Sequence, residues 1–126
     1  MPHFHIEYSG NLEPLVDMAG LCEAIRATAV TIDAFPMPGV RVRATRVDHY
    51  AIADGNPAHG FVDISIRLRE GRAPEVKTDA THRVFEAAHA FLKPAMTTHS
   101  IALSLEMRDI DPTLSPKTGT IRDHLE

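Results

Sequence analysis

The residue with the most distinctive chemistry in this sequence is Pro2, which directly follows the initiator methionine. If Met1 is removed, the nitrogen of Pro2 becomes a free secondary amine that can accept a proton. The polar and apolar alternation of His3–Tyr8 predicts a half-buried strand, with Pro2, Phe4 and Ile6 on one face. A proline costs no ladder hydrogen bond at the first position of a strand. The sequence therefore offers a candidate base at a strand start, although a merely tolerated proline at position 2 would give the same pattern.

Two short stretches are rich in arginine, and each begins at a glycine near the end of a predicted strand. Gly39 precedes Arg41 and Arg43, and Gly71 precedes Arg72. Arginine binds carboxylates through paired, charge-assisted hydrogen bonds, so several arginines together suit a substrate with more than one acid group. Position alone leaves open the alternative that these arginines are solvated surface charges.

A metal site is the third chemical possibility. His3, His5 and Glu7 occupy alternate strand positions, and two histidines spaced in this way can ligate zinc. Such a site needs three or four converging ligands, whereas the other histidines are scattered and the single cysteine, Cys22, has no pair. We therefore expect a polar strand face rather than a metal site, and a small buried residue rather than a nucleophile at Cys22.

Length and composition limit the class of protein. A chain of 126 residues fits a single domain, 1–126, whose modest core buries roughly two-thirds of the unfolded surface. A charged fraction of 24% and a net charge of -4 argue against a nucleic-acid partner. The sequence has no signal peptide and no long apolar run, so we expect a cytoplasmic location and no membrane partner.

The first half of the chain predicts strand, helix and strand. After the turn at 9–11, apolar residues at helical spacing predict an amphipathic helix over about 14–33. The two prolines and the glycine of residues 35–39 cannot continue a helix, so the helix must end before them. A long strand is then predicted from Val40 to about Ile52. The helical stripe consists of Leu21, Ile25, Thr28, Ala29 and Ile32.

The second half predicts the same order again. Phe61–Arg69 alternates as a strand, and a helix follows from Pro74 until Pro94 ends or kinks it. A last core strand is predicted from Ile101, with a tail at 112–126 that contains a short helix. The apolar stripe of the second helix consists of Val76, Ala80, Val84, Ala87, Ala88 and Phe91.

Two consecutive strand-helix-strand units predict an α/β (α+β two-layer) fold. Connections through a helix give parallel strand pairs, so the chain should form a four-stranded sheet with two helices on one face. The other face would remain bare. We expect it to be apolar and to cause association through that face or through the sheet edges, giving a homo-oligomer.

The order of several short motifs resembles a known family. From Pro2 to about Leu114, the chain is similar in order and spacing to 5-carboxymethyl-2-hydroxymuconate isomerase, a member of the tautomerase superfamily. The similarity lies in the collinearity of the motifs rather than in any single one. They are Pro2-His3-Phe4, Phe35-Pro36, Gly39-Val40-Arg41-Val42-Arg43, Val47-Asp48, Ala53-Asp54-Gly55, Gly71-Arg72, Leu103-Ser104-Leu105-Glu106 and Pro112-Thr113-Leu114.

The resemblance implies a tautomerase-like β-α-β-β-α-β subunit in a homotrimer, with active sites at subunit boundaries and no metal or cofactor. It implies an isomerase that ketonises a dienol di- or tricarboxylate in the homoprotocatechuate branch of aromatic catabolism. Pro2 would carry the proton, while Arg41 and Arg72 would bind carboxylates, with Arg43 a weaker candidate. Two alternatives are a non-catalytic carboxylate-binding protein of this fold and a tautomerase with a different keto-enol substrate.

Overall fold

The computed structural model describes residues 1–126, in which a mixed sheet packs against two helices. The elements are β1 (His3–Ser9), α1 (Met18–Ala29), β2 (Arg41–Val47), β3 (His59–Arg69), α2 (Pro74–Met96) and β4 (Ser100–Ile110). The sheet has four strands in the order β2-β1-β3-β4. Strands β1 and β2 are parallel, as are β3 and β4, while β1 and β3 are antiparallel. The predicted tandem strand-helix-strand fold is confirmed.

Both helices cover the same face of the sheet. A single cluster of 20 buried hydrophobic residues joins the inner faces of α1 and α2 to β1 and β3. Phe4 and Ile6 of β1 are fully buried in it, opposite Ile66 and Ile64 of β3. The apolar residues of the edge strands β2 and β4 pack against the same cluster. The predicted two-layer arrangement, with both helices on one face, is therefore confirmed.

The opposite face of the sheet is mainly charged and polar, so the expectation of an apolar bare face is wrong. Its row nearest the start of β1 is basic across all the strands and consists of Arg41, His3, Arg67 and Arg108. Four residues further along β1, Glu7 lies opposite Asp63, which accepts a hydrogen bond from Ser104. The apolar residues of each strand already face the helices, because side chains alternate between the two faces.

Helix α1 is shorter than the predicted 14–33. It begins at Met18 because Asp17 caps it, accepting a hydrogen bond from the backbone N–H of Gly20 at 3.0 Å. It ends at Ala29, although Ile32 beyond its end still packs in the core. The apolar periodicity thus identified the buried side chains correctly but overestimated the length of the helix.

Strand lengths follow the partner strand. The predicted strand from Val40 to Ile52 ends at Val47, the residue that pairs with Ser9 at the end of β1. Beyond it β2 has no ladder partner. By contrast, β4 extends past its predicted apolar part to Ile110, because β3 offers partners as far as Arg69. As an edge strand, β4 is half-buried rather than a central core strand.

Helix α2 continues through Pro94 to Met96, so of the two outcomes predicted at Pro94, an end or a kink, the end is wrong. A proline in the last turn removes one helical hydrogen bond. Val76 in the first turn is 42% exposed, and Leu92 takes its place among the buried residues of the stripe. Neither helix combines the length and the apolar character needed to cross a bilayer.

The segment after β4 returns to the amino terminus. It contains two short 3-10 turns, Pro112–Leu114 and Ile121–His124. Both turns lie within the tail, 112–126, in which the sequence predicts a short helix. Residues of this segment and Met1 line the same two cavities, which brings the two ends of the chain together.

Candidate active site

The start of β1 holds Pro2 in a buried position. The carbonyl oxygen of Pro2 accepts a hydrogen bond from the backbone N–H of Arg41 at 3.3 Å. Gly39 lies against the proline ring, since a Cβ at Gly39 would be 3.1 Å from the Cδ of Pro2. Next along the strand, the ring of Phe4 packs edge-on against Phe35 with 5.1 Å between centroids. The segment before β2 therefore fixes the position of Pro2.

Two adjoining cavities, of about 420 and 280 Å³, flank the amino terminus. Met1, Arg41, Lys117 and Thr118 line both of them. The larger cavity is also lined by His3, Arg69, Ile110, Pro112, Ser115 and Pro116, and the smaller by Pro36, Pro38, Gly39, Gly119, Ile121 and Arg122. No aspartate or glutamate is among these residues, so a chain of net charge -4 has a positively charged cleft at its amino terminus.

The electrostatic environment lowers the pKa of the terminal amine, which in this structure is that of Met1. Burial contributes most, because it disfavours the charged ammonium form. The positive charges of Lys117, Arg72, Arg69 and Arg41 act in the same direction, in decreasing order. The site therefore favours a neutral amine, which is the form that can act as a base.

The candidate arginines differ in their relation to the cleft. Arg41 lines both cavities, and its guanidinium contacts the sulfur of Met1. Arg72 lines neither cavity. Its Nη1 donates a hydrogen bond to the carbonyl oxygen of Arg69 at 3.0 Å. Its positive charge nevertheless contributes to the lowered pKa of the terminal amine. Arg72 follows Gly71, whose φ of +116° favours glycine and turns the chain at the end of β3.

Arg43 lies outside the cleft. It is exposed on the uncovered sheet face, where its Nη1 is 3.4 Å from the Nδ1 of His3. The structure thus brings Arg41 and the charge of Arg72 to the amino terminus. Arg43 lies two residues further along β2, away from the cleft. Its substrate-binding role stays a prediction.

The histidines of β1 have separate partners. His3 lies beside Arg43, while the Nε2 of His5 is 2.9 Å from the Oγ1 of Thr45. Burial, and then the charges of Arg67, Arg43 and Arg41, lower the pKa of His3, so cations dominate its surroundings. No three metal-ligating side chains of the chain converge. This part of the sheet is therefore suited to anions rather than to a metal cation.

Three cations of the cleft were not assigned to the site from the sequence. Arg69 ends β3, and Lys117 and Arg122 lie in the segment predicted as a tail. Arg69 is brought to the amino terminus by the antiparallel pairing of β3 with β1, and the other two by the course of the chain after β4. The one sequence signal among the three is that Arg69 belongs to the arginine-rich stretch before Gly71.

The chain matches the family model of 5-carboxymethyl-2-hydroxymuconate isomerase over residues 2–125. An Escherichia coli protein named 5-carboxymethyl-2-hydroxymuconate Delta-isomerase is 31% identical over 121 residues, which make up 96% of each chain. The family-model match spans the amino-terminal proline, both arginine stretches and the segment after β4.

Solved structures show the same relationship. A crystal structure of a 5-carboxymethyl-2-hydroxymuconate delta-isomerase has a TM-score of 0.90 at 31% identity, covering 98% of this chain and 92% of that one. A crystal structure of a 5-carboxymethyl-2-hydroxymuconate isomerase from Deinococcus radiodurans R1 has a TM-score of 0.89 at 28% identity, with the same coverage of the two chains. A structure described as a Q0 fused 4-OT wild type symmetric trimer shares the fold, with a TM-score of 0.67 at 19% identity. The match covers 88% of this chain and 87% of that one. The chain therefore has the tautomerase fold and belongs to the 5-carboxymethyl-2-hydroxymuconate isomerase family of enzymes.

Proposed function

We propose that this isomerase ketonises a dienol di- or tricarboxylate, 5-carboxymethyl-2-hydroxymuconate or a close relative, by proton transfer through Pro2. The observation that carries the proposal is the cleft at the amino terminus, whose charged walls are all basic. The relatives' names supply the substrate. The homoprotocatechuate branch of aromatic catabolism is the proposed pathway, and the cytoplasm its proposed location.

Removal of Met1 is the first requirement. While Met1 is present, the nitrogen of Pro2 belongs to a peptide bond and cannot act as a base. Its removal would leave the secondary amine of Pro2 beside the cations that act on the terminal amine here. It would also free the guanidinium of Arg41 from its contact with the Met1 sulfur. One processing step would therefore create the base and expose a carboxylate-binding group.

The reaction needs only one proton carrier. The neutral amine of Pro2 takes the proton of the 2-hydroxyl, and the oxygen becomes a carbonyl as the double bonds shift along the chain. The protonated amine then delivers this proton to the carbon at the far end of the diene, so the atoms balance. A secondary amine is normally too basic to be neutral near pH 7. Burial and the surrounding cations lower the pKa of the Met1 amine, and they would act on the amine of Pro2 in the same direction.

Arg41 and Arg72 would hold the substrate and stabilise its developing charge. Arg41 lines both cavities and can bind a carboxylate in a paired geometry. Arg72 would have to release the carbonyl oxygen of Arg69 to reach the same ligand. Positive charge beside a dienolate oxygen also stabilises the transition state.

We also propose a homotrimer in which residues 1–126 act as one domain and 112–126 as its tail. Several structures of the same fold are described as fused 4-OT trimers, symmetric or asymmetric. Both edge strands, β2 and β4, have one side free for pairing with another copy.

The proposal is tested by adding 5-carboxymethyl-2-hydroxymuconate to the purified protein, after intact mass spectrometry has verified that Met1 has been removed. Ultraviolet absorbance follows loss of the conjugated dienol. We expect conversion to the ketone far above the uncatalysed rate, and much less from a preparation that retains Met1. Equal rates for the two preparations would contradict the role of Pro2, and no conversion by either would contradict the proposed substrate.

A further inference from the structure

The segment after β4 forms one wall of the cleft at the amino terminus. Residues 115–118 line the larger cavity, and 117–119 together with Ile121 and Arg122 line the smaller one. Lys117 borders both, as do Met1 and Arg41. A side chain at this point is therefore available to a ligand in either part of the cleft.

Lys117 has no counter-charge within the chain. None of the six ion pairs involves it, whereas Lys77 pairs with Asp109 at 3.3 Å. No carboxylate lines either cavity. Such an unpaired ammonium beside a cleft is suited to binding an anionic group from outside the chain.

The proposed substrate has one carboxylate more than the two arginines account for. Muconate is a diacid, and its carboxymethyl substituent adds a third carboxylate. Arg41 and Arg72 are assigned to two carboxylates, and Arg43, the weaker candidate, lines neither cavity. Lys117 lies on the tail side of the cleft, across from the strand that carries Arg41.

We propose that Lys117 binds the third carboxylate of the substrate and so makes the enzyme prefer tricarboxylates over dicarboxylates. This inference rests on the proposed function, and it gives the tail a role in selecting the substrate. Lysine is suited to the task because its ammonium is a compact point charge on a flexible stem and needs no fixed planar geometry.

The surroundings of the terminal amine agree with this placement. Of the four cations that lower the pKa of that amine, Lys117 acts most strongly. The charge of Lys117 therefore acts at the place where the proton transfer would occur. A ligand held by both Lys117 and Arg41 would span the cleft beside the amine.

The test compares wild-type protein with Lys117→Ala and Lys117→Arg, and with the exposed Lys93→Ala of α2 as control. Activity is measured with 5-carboxymethyl-2-hydroxymuconate and with 2-hydroxymuconate, which lacks the carboxymethyl group. The pH is set on the alkaline plateau of kcat/KM, where a change in the pKa of Pro2 has no effect. Calorimetry measures binding of two inert probes, propane-1,2,3-tricarboxylate and pentanedioate, at fixed ionic strength.

Lys117→Ala should raise KM for the tricarboxylate by about ten- to a hundredfold, as expected for loss of a hydrogen bond between charged groups. KM for 2-hydroxymuconate should change little, and the tricarboxylate probe should lose affinity selectively. Lys117→Arg should restore most of the preference, and Lys93→Ala should match wild type.

Equal losses for both substrates, or no loss for either, would overturn the role of Lys117. If wild-type protein converts neither muconate, the proposed function fails, and the two inert probes still decide the inference. A selective loss of tricarboxylate binding in Lys117→Ala would then support it, and equal affinities would refute it.

Discussion

At the scale of single residues, the proposed chemistry depends on one amine and the charges around it. Burial and the charges of Lys117, Arg72, Arg69 and Arg41 all disfavour the ammonium form of the terminal amine, here that of Met1. In the proposed mechanism the same cations also attract the carboxylate substrate. One set of charges would then both prepare the base and bind the ligand.

The first prediction concerns pH. In Arg72→Gln, a cation that disfavours the ammonium form is lost, so the pKa of the Pro2 amine should rise. Because the reaction needs the neutral amine, kcat/KM should then fall off at a higher pH on the acidic side of the profile. The profile is measured for wild type, Arg72→Gln and the exposed Arg83→Gln of α2.

Arg83→Gln keeps the charges near the amino terminus and should leave the acidic limb in place. An acidic limb that does not move in Arg72→Gln would mean that Arg72 does not act on the base.

The residues predicted from sequence were those that carry a local signal. Pro2 and Arg41 stand out by position and by the resemblance; Arg41 lines the cleft, and Pro2 is buried next to Met1, which also lines it. Lys117 carries no local signal. It lies near the amino terminus because the chain returns there after β4, a tertiary contact that one sequence without a strong motif does not encode locally.

At the scale of elements, the sheet supplies the geometry of the site. Pro2 directly precedes β1, the parallel neighbour β2 begins with Arg41, and the turn before β2 places Gly39 against the proline ring. The element order and the buried stripes were predictable from periodicity. The ends of β2 and β4 were not, because Ser9 and Arg69 of the partner strands determine where pairing stops.

The second prediction tests this contact between elements. In Gly39→Ala, the added methyl would lie 3.1 Å from the Cδ of Pro2, so the proline must move by a few tenths of an ångström. We expect kcat/KM to fall about tenfold, because small displacements of reacting groups are costly. Denaturation by urea checks that the variant is folded. A folded variant with wild-type kcat/KM would show that the contact does not position the base.

At the scale of the whole molecule, the uncovered sheet face requires an explanation. Only 24 of 126 residues are buried, and the face opposite the helices has Arg41, His3, Arg67 and Arg108 as direct neighbours. Like charges that lie opposite one another destabilise a sheet. Leu114 in the tail is 81% exposed as well. Further copies of the chain could supply counter-charges and cover for these surfaces.

The third prediction therefore concerns assembly. Sedimentation or native mass spectrometry should give three times the chain mass of 13.9 kDa. The mass should stay the same in Lys117→Ala and in Arg72→Gln, since these changes are assigned to ligand binding. A monomer at micromolar concentration would contradict the proposed trimer.

The central claim is that Pro2 carries the proton, and the most direct test is kcat/KM of Pro2→Ala for 5-carboxymethyl-2-hydroxymuconate. Wild type and variant are compared after intact mass spectrometry has verified that each lacks Met1 and after native mass spectrometry has verified equal assembly. Loss of a positioned general base predicts a fall of about a hundredfold or more. An alanine variant with wild-type kcat/KM would contradict the account, because the proton would then have to be carried by another group.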